Sequence, residues 1–69
     1  MNKQLQTLYE RGDFDAMAQI LKDCPSEETA KVLEQMRDDD VVLLCRAMDD
    51  ETIAKALVLS DKRVRQIVV

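Results

Sequence analysis

Apolar and small residues recur along this chain every twelve positions. Met17, Thr29, Val41 and Ile53 share one column. Ile20, Val32, Leu44 and Ala56 share a second, and Leu21, Leu33, Cys45 and Leu57 a third. Cys24, Met36, Met48 and Ser60 close the units. Each unit thus places small or apolar residues at i, i+3, i+4 and i+7, one face of an α-helix. A further small column, Ala18, Ala30, Val42 and Ala54, suits close approach between helices.

The breaks between units suit helix ends and starts. Gly12 provides the left-handed residue that ends a first helix, and Asp13 caps the next. Pro25 stops the second helix, and Ser26 is the expected N-cap of the third. Asp38, Asp50 and Asp61 are the expected caps of the last three. The spacing predicts helices over about 2–11, 14–23, 27–37, 39–48, 51–59 and 62–69. Near the end the period falls to eleven, with Val64, Ile67 and Val68 matching Ile53, Ala56 and Leu57. The expected fold is all-α: a small right-handed superhelix, or α-solenoid, of about six short helices in a single domain.

A helix of nine or ten residues is roughly 14 Å long and unstable alone in water. Stability must come from apolar faces stacked on neighbouring rungs. In a chain of 69 residues that leaves only a few kcal/mol net. No histidine is present, which excludes a Cys/His zinc site. Cys24 and Cys45 occupy apolar positions near helix ends, and two unpaired buried thiols are the expected state.

The net charge of −4 argues against a nucleic-acid partner. Tyr9 and Phe14 are the only aromatics, too few for a base-stacking platform. No apolar run is long enough to insert in a membrane, and the start lacks a signal-peptide core. A cytoplasmic location is expected.

Candidate chemistry is sparse. Asp38, Asp39 and Asp40 form the densest carboxylate cluster, and Asp49 and Asp50 repeat the pattern. Consecutive residues on a helix diverge by about 100°, so these side chains fan apart. An EF-hand register fails because Leu43, or Ala18 in the alternative register, stands where glycine is required. Capping accounts for these aspartates, and they remain weak candidates for Mg²⁺; no other cofactor is expected. Arg11-Gly12-Asp13 spells an adhesion tripeptide, but helix stop and start explain it. Ser26 and Ser60 have no evident base, and thiols on apolar faces resist ionisation, so the chain does not read as an enzyme.

Lys62, Arg63 and Arg65 form the one basic cluster, set on the side of the sixth helix away from Val64, Ile67 and Val68. The apolar tip Ile67-Val68-Val69 is unusual, because a terminal repeat normally shows a polar outer face. Either the array continues beyond it or that end meets a second molecule. These six residues, Lys62, Arg63, Arg65, Ile67, Val68 and Val69, are the expected partner interface. The expected partner is a protein or another copy of the chain.

Residues 24–36, Cys-Pro-Ser-Glu-Glu-Thr-Ala-Lys-Val-Leu-Glu-Gln-Met, resemble the repeat of the N-terminal superhelical domain of MgtE-type magnesium transporters. The segment from Gly12 to Leu21 is similar to the one that enters that domain. Residues 50–68 resemble the armadillo-like repeats of the FliG-type flagellar motor switch protein. The first resemblance implies a cytoplasmic regulatory domain whose acidic surface helps bind Mg²⁺ against a neighbouring CBS domain. The second implies stacking between subunits. The reading taken from residues and resemblance together is a non-catalytic cytoplasmic interaction module. Its alternatives are a Mg²⁺-sensing domain of a transporter and a small chaperone or inhibitor that caps a partner.

Overall fold

Six helices fill the computed structural model, which describes residues 2–68. They are α1 (Lys3–Arg11), α2 (Phe14–Lys22), α3 (Ser26–Gln35), α4 (Asp38–Ala47), α5 (Asp50–Leu59) and α6 (Lys62–Val68). No strand occurs among the described residues. The fold is all-α and forms a small superhelix.

Local chemistry sets the ends. Asn2 accepts the Leu5 amide at 2.8 Å and so caps α1. Gly12 ends that helix at φ +72°, the left-handed region, and its amide donates to the Tyr9 carbonyl at 3.0 Å. A Cβ at Gly12 would meet nothing within 4 Å, so only backbone conformation opposes a substitution there. We expect Gly12→Ala to cost about 1–2 kcal/mol in urea denaturation, with Gly12→Asn milder. Equal stability of the alanine variant would show that α1 ends differently in solution.

Asp13, Asp49 and Asp61 cap α2, α5 and α6 by accepting the amides of Ala16, Thr52 and Val64. Three expected caps are displaced by one residue. Pro25, Arg37 and Asp49 hold the N-cap positions, and Ser26, Asp38 and Asp50 are the first helical residues. Pro25 at φ −59° and ψ 149° already has the extended geometry of an N-cap, so the helix begins immediately after it. Asp38, Asp39 and Asp40 therefore fill the first turn of α4, where the helix dipole favours anions.

Apolar faces do stack on neighbouring rungs, and those neighbours are mostly alternate helices of the chain. The principal packing runs between alternate helices: α2 on α4, α4 on α6, and α3 on α5, with α1 resting on α2. Helices α2, α4 and α6 thus follow one another in contact, while α3 packs on α5 and also touches α6. The apolar columns meet in one core. Leu5, Met17, Leu21, Val32, Leu33, Val41, Leu44 and Val64 are fully buried there.

Cys24 and Ser60, one at each end of their column, donate to the carbonyls of Ile20 and Ala56 one turn back. Both cysteines are free. Thr29 takes the column position of Met17 and Val41, yet its buried hydroxyl finds no hydrogen-bond partner. Such an orphan costs about 1–3 kcal/mol.

Candidate interaction surface

The acidic candidates do not converge. Among the described residues, no three His, Cys, Asp or Glu side chains come together closely enough to hold a metal ion. Asp38 pairs with the Arg63 guanidinium. Asp40 accepts the Tyr9 hydroxyl at 2.7 Å. Asp49 caps α5, and its hydrogen bonds from Thr52 hold the carboxyl below its ordinary pKa. Asp39 is exposed in the first turn of α4, and Asp50, the first residue of α5, borders a groove between α4, α5 and α6. The residues present do not fit a closed magnesium site.

Tyr9 ties α1 to the start of α4. Its hydroxyl accepts the Arg37 amide at 3.2 Å while donating to Asp40. The Arg37 amide is the largest influence and lowers the phenol's pKa. Desolvation and the Asp40 carboxylate outweigh it, and the net shift is upward.

The basic cluster divides. Arg63 bonds both the Asp38 carboxylate and the Glu34 carbonyl, the latter at 2.8 Å. It is thus a clamp within the chain, joining α6 to the α3–α4 junction. Lys62 and Arg65 are exposed beside Gln66. Ile67 and Val68 are half-buried against the core, so the tip of α6 is less open than its sequence suggests. Val69 lies outside the described residues.

Ile67 and Val68 line a shallow groove of about 310 Å³ with Ile53, Val42, Cys45, Arg46 and Asp50. Burial raises the pKa of the Cys45 thiol, which keeps it protonated and a poor nucleophile. Outside the groove, farther along α5, stand two exposed large apolar residues, with Leu43 of α4 a third. Val58 is 77 % exposed and Leu59 48 % exposed. On this helix Ile53, Ala54, Ala56, Leu57, Val58 and Leu59 are all apolar, yet only Ala56 among them is buried.

Sequence reasoning missed Val58 and Leu59. The signal was present in the repeat: their equivalents in earlier units are Lys22, Glu34 and Arg46, and Asp23, Gln35 and Ala47. A position charged in three units becomes valine in the fourth.

These features define a class, a short α-solenoid whose helices pack mainly on the helix two places along the chain. The family model of the MgtE intracellular N domain matches residues 2–69, and the chain belongs to that family. The motor-switch resemblance gains no support from this match. No curated protein and no solved structure matches the chain. Among the described residues, no helix is long and apolar enough to cross a membrane.

Proposed function

We propose that this chain is a non-catalytic, cytoplasmic protein-interaction domain that works by offering the open side of α5 to another helix. The supporting observation is Val58, a large aliphatic side chain 77 % exposed on a helix that is apolar around most of its circumference. Exposed apolar surface gathered on one helix marks an interaction site. Membership of a family of intracellular transporter domains agrees with a role in regulation by contact. It also supports a second reading, in which the domain regulates a magnesium transporter. Separately engaged aspartates would contribute to that role as acidic surface charge rather than as a chelating site.

Site-specific photocrosslinking in native cells tests the interaction reading. A benzophenone side chain placed at Val58 is expected to yield a discrete higher-mass adduct. The same probe at Gln4, on the polar side of α1, is expected to yield none. No adduct from position 58, or equal adducts from both, would overturn it.

A further inference from the structure

Helices α1, α2, α5 and α6 each begin under a side-chain cap, from Asn2, Asp13, Asp49 and Asp61. Helices α3 and α4 have none. Pro25 presets the backbone before α3. The equivalent residue before α4 is Arg37, whose side chain can donate hydrogen bonds but not accept them. Amides at a helix start and carbonyls at a helix end have no partner in the helix ladder. At the α3–α4 junction, one of each is met by a distant helix. The Tyr9 hydroxyl of α1 accepts the Arg37 amide at 3.2 Å. The Arg63 guanidinium of α6 donates to the Glu34 carbonyl, in the last turn of α3, at 2.8 Å.

Two carboxylates in the first turn of α4 complete these ties. Asp40 accepts the Tyr9 hydroxyl at 2.7 Å, and Asp38 binds Arg63. Residues i and i+2 of a helix point about 200° apart. One turn can therefore serve two helices, Asp38 holding α6 while Asp40 holds α1. Those two helices are not principal packing partners of each other: α1 rests on α2, and α6 on α4 and α3. Their polar ties meet at the junction instead.

We propose that the α3–α4 junction couples α1 to α6, so that release of either helix loosens the hold on the other. The turn from Glu34 to Asp40 must be ordered for either tie to form. Ordering backbone costs conformational entropy, and whichever tie forms first leaves less of it for the second to remove. The link is soft enough to respond. The Arg63–Asp38 pair lies at the surface, where ion pairs are weak and salt screens them. The Tyr9 tie is more sheltered. A contact made at α1, or at the groove beside Ile67 and Val68, then changes the stability of the other helix. Asp38 and Asp40 serve here as fixed points of a conformational link. This coupling is independent of the role proposed for α5.

Native-state amide exchange on the whole chain, followed by ¹⁵N NMR, tests the coupling. Tyr9→Phe keeps the ring and removes only the hydroxyl. It is expected to speed exchange of Gln66, Ile67 and Val68 on α6 by about threefold, a fraction of what one hydrogen bond contributes. Arg63→Met keeps the aliphatic stem and removes the guanidinium. By reciprocity it is expected to speed Leu8, Tyr9 and Glu10 on α1 by a similar factor. Ala56, buried on α5 outside the junction, reports global unfolding and should change least. In the double variant, the increase at Val41 is expected to fall short of the product of the two single increases, because the second deletion removes a tie already weakened.

Changes confined to the mutated helix would overturn the proposal. So would an equal change at every amide, Ala56 included, which is the mark of global unfolding alone. A double variant whose increase equals the product of the single ones would show two independent ties, and would overturn it as well.

Discussion

Leu44→Ala is expected to remove a large fraction of the stability of the fold at 25 °C. Leu44 is fully buried on α4, the helix that packs on both α2 and α6. Removing a buried leucine to Cβ costs about 2–5 kcal/mol, because transfer energy is lost and a cavity remains. Total stability scales at roughly 0.05–0.15 kcal/mol per residue, about 3–10 kcal/mol for a chain of this length. The substitution therefore removes a large fraction of what there is. Urea denaturation followed by far-ultraviolet circular dichroism measures the loss. Leu44→Met, which keeps the volume, should cost under about 1.5 kcal/mol. Loss of less than that by the alanine variant would show that α4 is not the shared centre of the stack.

Val64→Asp should release α6 and, through it, weaken the whole fold. Val64 is fully buried, and α6 has only seven residues, too few to form a helix unaided. An unpaired carboxylate in an apolar site costs several kcal/mol, or shifts its own pKa upward to escape the charge. Detaching α6 also removes Arg63 from Asp38 and Glu34. Amide exchange should then show α6 and the start of α4 opening first. The introduced carboxyl has a folded-state pKa above its unfolded value. The destabilisation is thus complete above that folded pKa and relieved as pH falls below the unfolded one. Partial recovery on acidification would identify desolvation as the cause. Arg65→Asp, at an exposed position of the same helix, should stay within about 0.5 kcal/mol of the parent. Equal tolerance of both substitutions would place Val64 on the surface.

The candidate surface was only partly legible in the chain. The basic cluster drew attention to α6, but the carboxylate facing Arg63 is contributed by Asp38, twenty-five residues away. No local pattern announces such a pair. Tyr9 is similar: its partners Arg37 and Asp40 become neighbours only when α1 is brought against the start of α4. Val58 and Leu59 were concealed for a different reason. On a short apolar helix, period alone does not say which side is covered, and α5 has apolar residues on nearly every side. Ile67 and Val68, apolar at the tip, pack partly onto the core because the groove beside Ile53 and Cys45 accepts them.

The sequence by itself determined the number of helices, their class and their inward faces. Those properties are local: a twelve-residue period, a glycine at a left-handed turn, a proline stop, and aspartates that satisfy free amides at helix starts. Only the tertiary structure decided which rung lies on which. Connectors of two or three residues set the direction of the next helix, and that direction makes alternate helices, not consecutive ones, the main packing partners. From that choice follow the burial of Ala18 and Ala30, the exposure of Ala54 and Val58, and the separation of the aspartates. Long-range packing assigns burial and partners to residues that the repeat alone makes equivalent.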